Sequence, residues 1–276
     1  MKLFKNIICC LPLLAVVFLA SCSKDADPVP DEIDGLKFVA SLKNETHLVN
    51  LYSASGKLTT GYNEIFFQVR KADSSLVVNN ISPEWAPAMK TENVSHSSPA
   101  SAIAPVPGTS FLFGGFIIFP TAGDWELPIT YHIDGTDYTS TGKAAVQAAQ
   151  KRILESFEGS DGQKYVVTML DPVKPVMDLN DMTALLYRMK STNDFEPVSG
   201  YTIRIDPRMP SDNNHDSPNN TDLTYKDGIY KGVVSLTMKG SWKINLQVAN
   251  EKGEVIKGEP VTEANPASSI YFEIDL

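Results

Sequence analysis

Two loops of this chain carry a methionine and a histidine at similar spacing, and these side chains are suited to metal chemistry. Met89 precedes His96 by seven positions, and Met209 precedes His215 by six. A thioether sulfur and an imidazole nitrogen both suit copper. A loop of this length can fold back and bring the two side chains to one ion. The spacing therefore predicts a copper site in each loop, with Met89, His96, Met209 and His215 as ligands.

A second interpretation of the same residues needs no metal. Methionine fills irregular gaps in protein cores, so Met89 and Met209 would plug the core beneath each loop. His96 and His215 would then hold the loop by hydrogen bonds to its carbonyl groups. The residue types alone leave both interpretations open.

The two loops belong to an internal repeat. Asn63 and Asn180 each stand beside an acidic residue and lead into an apolar segment, and they lie 117 positions apart. Trp125 and Trp242, each in a Gly-x-Trp sequence, have the same separation. Such self-similarity indicates duplication of one structural unit.

Short apolar segments separated by turn residues run through each copy. Residues 36–42 and 47–53 flank one polar turn, and residues 152–157 and 164–170 flank another. This pattern predicts β-hairpins, and its repetition indicates antiparallel sandwiches. We therefore expect an all-β fold with two tandem immunoglobulin-like antiparallel β-sandwich domains that follow a lipoprotein signal peptide.

The boundary between the copies is expected near the middle of the chain. We place repeat 1 at 36–142 and repeat 2, with a linker segment, at 143–276. Residues 143–152 are rich in alanine and glutamine and have helical propensity. They fit either a short linker helix or the last strand of the first domain. The boundary is therefore open within 134–152.

The N-terminus has the pattern of an export signal. In residues 1–21, two lysines precede an apolar run that is too short to span a bilayer comfortably. The run ends in Leu-Ala-Ser-Cys, which resembles the bacterial lipobox and makes Cys22 the expected site of lipidation. The other interpretation is an ordinary cleaved signal with a chance cysteine. Residues 22–35 are polar and acidic and are expected to form a flexible tether.

This N-terminal pattern predicts where the protein resides. Residues 23–27 (Ser-Lys-Asp-Ala-Asp) resemble the Lys-plus-acid sorting signal of Bacteroidota lipoproteins. We expect the lipid to anchor the chain at the outer membrane, on the cell surface or on the periplasmic face. The membrane is then a partner through the N-terminal lipid.

Composition excludes several functions. The formal net charge is −9, which argues against a nucleic-acid partner because phosphate contacts need clustered Lys and Arg. All three cysteines lie within the first 22 residues, so the body has no disulfide and no thiolate metal site. The sequence has no Gly-x-Ser-x-Gly, phosphate-binding loop or His-Glu-x-x-His, so we expect no enzyme.

The second loop is also rich in carboxylates, which raises calcium as an alternative ligand. Calcium prefers oxygen donors, but these acids lack the spacing of an EF-hand and have no counterparts in the first copy. A solvated acidic loop is the simpler interpretation. The residues concerned are Asp206, Asp212, Asp216, Asp222 and Asp227.

The repeated motifs resemble the YtkA-like domain family over most of residues 36–250. The resemblance implies immunoglobulin-like domains of exported or membrane-tethered proteins, some of them linked to copper handling. Members of the family often have more Met and His in this loop than either copy here. The motifs are Trp-Ala-Pro-Ala-Met at 85–89, His96, Phe-Gly-Gly-Phe at 113–116 and Gly-Asp-Trp at 123–125, with Pro-Arg-Met at 207–209, His215, Tyr-Lys-Gly-Val at 230–233 and Gly-Ser-Trp at 240–242 in the second copy.

Two functional hypotheses follow from these features. The first is a non-catalytic cell-envelope binding module that holds copper for delivery, sequestration or efflux, with a metal transporter or an outer-membrane receptor as partner. The second is a structural or adhesive surface module, or an accessory subunit of an outer-membrane receptor, that binds protein or glycan without metal.

Overall fold

The computed structural model describes residues 32–74, 77–90 and 95–276. Every regular secondary-structure element in these residues is a β-strand, so the expected all-β fold is confirmed. None of the described residues forms a helix that could cross a membrane. The expected signal peptide, Cys22 and the first part of the tether lie outside the described residues. Residues Glu32–Leu276 form one compact unit.

Fourteen strands belong to the first half of the chain. They are β1 (Lys37–Lys43), β2 (His47–Ser53), β3 (Leu58–Thr59), β4 (Gly61–Lys71), β5 (Val77–Val78), β6 (Glu84–Trp85), β7 (Ala88–Lys90), β8 (Ser95–Ser97), β9 (Ala104–Pro105), β10 (Phe113–Phe119), β11 (Gly123–Glu126), β12 (Ile129–Ile133), β13 (Thr136–Ser140) and β14 (Lys143–Gln147).

Eleven strands belong to the second half. They are β15 (Leu154–Glu158), β16 (Lys164–Asp171), β17 (Leu179–Ser191), β18 (Asp194–Pro197), β19 (Thr202–Met209), β20 (His215–Asp216), β21 (Thr221–Lys226), β22 (Ile229–Ser235), β23 (Ser241–Ala249), β24 (Val255–Lys257) and β25 (Tyr271–Asp275).

The first half is a sandwich of separate sheets. One sheet has the order β1-β2-β4-β10-β9, with β5 paired to β4. The others are β3-β14-β11-β7-β8 and the smaller β13-β12-β6. Pro87 and Pro128 lie at the breaks between β6 and β7 and between β11 and β12. Proline cannot donate to a ladder, which accounts for breaks at these two points.

The second half joins its two layers into one sheet. Its order is β15-β16-β17-β22-β21-β19-β23-β24, with β18, β20 and β25 as side branches. β21 pairs with both β22 and β19 and so links the layers, whereas β9 in the first half pairs only with β10. Each half has its own apolar core.

A buried asparagine holds the same loop in both halves. Asn63 accepts a hydrogen bond from the Thr59 N–H at 2.8 Å, and its amide nitrogen donates to the Thr59 carbonyl. Asn180 accepts from the Val176 N–H at 2.7 Å and donates to the Val176 carbonyl. Both asparagines also donate to the carbonyl two positions earlier. The repeated sequence thus produces the same contacts 117 positions apart.

The junction between the halves differs from the boundary expected at 142/143. Residues 143–147 form β14, which pairs along β11 with Trp125 opposite Ala144. This strand completes the first sandwich, because alternate side chains (Ala144 and Val146) are buried in the first core. The connection between the halves is therefore 148–153, and it contains no helix.

The end of the expected tether is held against the first half. The Glu32 carboxylate accepts hydrogen bonds from the Ser110 N–H at 2.6 Å and the Phe111 N–H at 2.9 Å. Residues 32–35 form turns, so a flexible tether could extend only as far as residue 31. Residues 32–35 are therefore not part of the flexible tether expected at 22–35.

We expect replacement of either asparagine by alanine to lower the free energy of unfolding by about 1–3 kcal/mol. Each substitution leaves a loop N–H without its acceptor in a buried place. Urea unfolding of Asn63→Ala and Asn180→Ala measures the loss. Asn193→Ala, at an exposed turn, is the control and should change stability by less than about 0.5 kcal/mol. Losses as small as the control's in both variants would contradict an anchoring role.

Candidate functional site

The structure places the methionine and the histidine of each loop directly opposite one another. In the first half Met89 of β7 pairs with His96 of β8. In the second half Met209 of β19 pairs with His215 of β20. Directly opposed residues share one face of a ladder, with Cβ atoms about 4.5–5.5 Å apart. The sequence-predicted ligands are therefore brought together as two Met–His pairs.

A glycine and a tryptophan fix the position of each methionine. Gly123 (φ +137°) and Gly240 (φ +140°) have backbone conformations that favour glycine. A Cβ on Gly123 would lie 2.9 Å from Cε of Met89, and a Cβ on Gly240 would lie 3.2 Å from Cε of Met209. The Gly-x-Trp motif therefore provides the surface against which each methionine packs.

The two methionines differ in their access to solvent. Met209 is 4% exposed and belongs to the second core, as the interpretation without metal requires. Met89 is only half-buried, and its Sδ accepts a hydrogen bond from the Thr121 hydroxyl at 3.6 Å. The thioether of the first pair is thus the more accessible donor.

The two histidines lie at the surface. His96 and His215 are exposed, and neither imidazole forms a hydrogen bond within the part of the chain that the structure describes. The loop contact of His215 is made by its backbone, whose N–H donates to the Asp212 carbonyl at 2.9 Å. Among the residues that the structure describes, none forms a hydrogen bond to either imidazole that a ligand would have to displace.

Each pair offers one soft sulfur and one nitrogen. No group of three or more His, Cys, Asp or Glu residues that could hold a metal occurs in residues 32–74, 77–90 and 95–276. A Met–His pair is chemically suited to Cu(I), with further coordination from solvent or from a partner. It is unsuited to calcium, which needs several oxygen ligands.

The first pair borders a groove between the two halves. The groove has a volume of about 400 Å³, and His96 and Thr121 form part of its first wall. The other wall belongs to the second half and includes Glu158, Met189 and Phe195. The Ser97 hydroxyl donates to the Thr192 carbonyl at 3.1 Å and so links the two halves beside the groove. Of the first pair, His96 thus lies on the wall of the groove, whereas Met89 does not line it.

The carboxylates of the second loop contact one arginine and the backbone. Asp206 forms a two-pronged ion pair with Arg208, and Asp216 lies 4.0 Å from the same guanidinium. Asp222 accepts from the Ile205 N–H. Asp206 and Asp216 thus share one arginine while Asp222 contacts the backbone, and the described residues contain no group of three or more acids or histidines that could hold a metal.

The other two histidines have different surroundings. His132 is exposed and pairs with Asp137 at 2.8 Å. His47 is buried, stacks edge-on against Tyr131 and Tyr138, and shares a hydrogen bond with the Thr46 hydroxyl. His47 therefore packs with the aromatic side chains of the first core.

The strand register identifies the counterpart of His47. His47 lies opposite Lys71, and Tyr165 lies opposite Arg188, which is 117 positions after Lys71. His47 therefore corresponds to buried Tyr165, an offset of 118. A constant offset of 117 pairs it with Lys164 instead, so the sequence comparison missed this shared aromatic position.

Comparison with known proteins bears on the second half. Residues 160–247 match the family model of YtkA-like domains. The expected resemblance is confirmed for this segment, which contains Met209, His215 and Trp242. The chain is also similar to domains 5–6 of the S-layer protein SbsC, with 12% identity, a TM-score of 0.29, and coverage of 80% of this chain and 93% of that one. That TM-score is too low to support an argument. None of the curated proteins matches the chain.

The burial of His47 predicts a specific pH dependence of stability. Burial and, secondarily, the positive charge of Lys71 lower the pKa of His47 below its usual 6.5. The unfolded chain therefore takes up a proton at higher pH than the folded chain, and stability is lost as the pH falls below 6.5. We expect His47→Phe to remove this part of the dependence.

Thermal unfolding of the wild type and of His47→Phe between about pH 8 and pH 5 tests this expectation. As the pH falls, the melting temperature of the wild type should fall by more than that of His47→Phe. His132→Gln, at an exposed site, should keep the wild-type dependence. A constant difference between wild type and His47→Phe would show that the titration of His47 is not linked to folding.

Proposed function

We propose that this chain is a cell-envelope binding module, anchored by lipid at Cys22 and without catalytic activity, that holds Cu(I) at a Met–His pair in each half. The observation that carries the proposal is the cross-strand register, Met89 with His96 and Met209 with His215, which recurs in both halves. The match of residues 160–247 to the YtkA-like family supports it for the second half. For the first half, the proposal of a copper site rests on the internal repeat.

The two sites would differ in strength. Met89 is half-buried, so its sulfur needs little rearrangement to reach an ion beside His96. Met209 is 4% exposed, and it would have to leave part of its core packing to bind. Withdrawing a buried side chain from a core costs free energy. The first site would therefore bind more tightly than the second.

The biological role we propose is delivery, sequestration or efflux of copper. Two-ligand sites at hairpin ends leave coordination positions open, which suits transfer of the ion to a partner. That partner would be a metal transporter or an outer-membrane receptor. Lipid anchoring on either face of the outer membrane would keep the chain close to such a protein.

A second candidate function is a structural or adhesive module, or an accessory subunit of an outer-membrane receptor, that binds protein or glycan without metal. The burial of Met209 favours it, because a core methionine needs no metal to account for its position. In this case His96 and His215 would be surface residues only.

A competitive Cu(I) titration against a chromophoric chelator separates the two functions. Residues 23–276 contain the whole compact unit and are the suitable protein. We expect the wild type to take up about two equivalents of Cu(I). His96→Ala should lose the tighter site, His215→Ala the weaker site, and the double variant both.

Two variants sharpen the titration. Met89→Leu conserves volume and removes only the sulfur, so it should weaken the tighter site without unfolding the protein. His132→Ala changes a surface histidine outside both pairs and should leave the titration unchanged. Failure of the wild type to compete, or identical curves for wild type and double variant, would establish the module without metal as the better account.

A further inference from the structure

The groove between the two halves is lined by His96 on one side and by a third methionine on the other. Met189 of β17 belongs to the second half, and it lines the groove together with His96 and Thr121 of the first half. The Thr121 hydroxyl also donates to the sulfur of Met89 at 3.6 Å. Met89 shares the face of its hairpin with His96 and contacts a wall residue, although it does not line the groove itself. Two thioethers and one imidazole thus lie on or directly behind the walls of one groove.

Backbone contacts hold the two walls of this groove beside each other. The hydrogen bond from the Ser97 hydroxyl to the Thr192 carbonyl ties the strand of His96 to the turn that follows β17. Met189 lies three positions before Thr192 and pairs with Phe195 of β18, which also lines the groove. His96 and Met189 are therefore each within three positions of a hydrogen bond that joins the walls.

Core packing does not account for the methionine at position 189. Three other methionines of the second half are buried in its core. Met189 is half-buried and belongs to none of the three apolar clusters formed by the described residues. Its counterpart in the first half is Ala72, because the strand register makes Arg188 the counterpart of Lys71. Met189 is thus neither a core plug nor a feature of the repeat, and its thioether is available to the groove.

We propose that the copper site of the first half is shared between the halves, with Met189 as a third Cu(I) ligand beside Met89 and His96. This inference rests on the proposed function, since it assigns a further ligand to the same ion. Thioether donors favour Cu(I), and Met189 would fill a coordination position that two ligands leave open. Methionine is unbranched and has three rotatable side-chain bonds, so its sulfur can turn toward His96 without a shift of β17.

The surroundings of the shared site suit an ion of low charge. Phe157, Val166 and Phe195 contribute apolar side chains to the groove. Its charged side chains, Glu158 and Lys164, lie directly opposite each other on the ladder, so their opposite charges partly cancel. Transfer of a charge into a weakly polar place costs free energy, and the cost rises with the charge. The groove therefore favours Cu(I) over Cu(II).

X-ray absorption spectroscopy of His215→Ala in residues 23–276 tests the shared site. This variant retains the site of the first half alone, so one equivalent of Cu(I) reports on that site. We expect two sulfur neighbours, from Met89 and Met189, and one nitrogen neighbour, from His96. A single sulfur neighbour would overturn the shared site, and this reading needs no change at position 189.

A second variant assigns the additional sulfur to Met189. Met189→Leu in the His215→Ala background conserves volume and removes only the thioether. Its spectrum should lose one sulfur neighbour. Loss of groups that merely orient metal ligands lowers metal affinity about 10–100-fold, so loss of a direct ligand should weaken Cu(I) binding at least about tenfold against the chromophoric chelator. Met177→Leu is the matched control, because Met177 is an exposed methionine (58%) of the same half outside the groove. It should leave both the spectrum and the affinity unchanged.

The outcomes separate this inference from the proposed function. Copper binding by His215→Ala that is lost in the His96→Ala/His215→Ala double variant, yet unchanged by Met189→Leu, would overturn the shared site and leave the Met–His pair as the site. Failure of the wild type to bind Cu(I) would overturn both. Melting temperatures without copper should agree between Met189→Leu and its parent, so that a loss of affinity reports the missing sulfur rather than a loss of fold.

Discussion

The fold of both halves depends on a buried tryptophan at the start of an inner strand. The indole N–H of Trp125 donates to the Thr121 carbonyl at 3.0 Å, and that of Trp242 donates to the Met238 carbonyl at 2.9 Å. Each indole is essentially inaccessible to solvent. Burial of so large a side chain contributes several kcal/mol, and the hydrogen bond satisfies the one polar atom that burial would otherwise leave unpaired.

The same tryptophan sets the position of the candidate site. The donated hydrogen bond closes a tight turn, in which the glycine two positions before the tryptophan has a positive φ. Because this glycine has no side chain, the methionine of the neighbouring strand can lie against its backbone. The register of the Met–His pair is thus a consequence of core packing. A site built in this way is rigid on the methionine side and open on the histidine side.

Sequence reasoning identified the repeat and the residue types at the site because both depend on local signals. Asn63, Trp125 and their counterparts repeat with constant spacing and have the same contacts in the structure. The register of Met89 with His96 was not predictable, because a turn of one residue more or less changes which side chains share a face. Insertions also moved His47 out of alignment with Tyr165, and no composition signal marks such a shift.

The assignment of residues 143–147 required tertiary information. Their alanine-rich sequence has helical propensity, yet they form β14 because the edge of β11 offers unsatisfied backbone groups and a core that needs Ala144 and Val146. Burial in a core outweighs intrinsic propensity over five residues. The exposure of Val173 and Met177 was equally hidden, since an apolar loop in a sequence is usually a buried one.

The two halves share buried contacts at Asn63 and Asn180 but differ in the apolar surface that they expose. Tyr62 packs in an apolar cluster between the halves, whereas its counterpart Leu179 is 53% exposed. The loop before Leu179 adds Val173, Val176 and Met177, each more than half exposed, whereas among the described residues of the first half the large exposed apolar residue is Phe38. The offset of 117 that gives both halves the same buried asparagine and tryptophan contacts therefore does not give them the same surface.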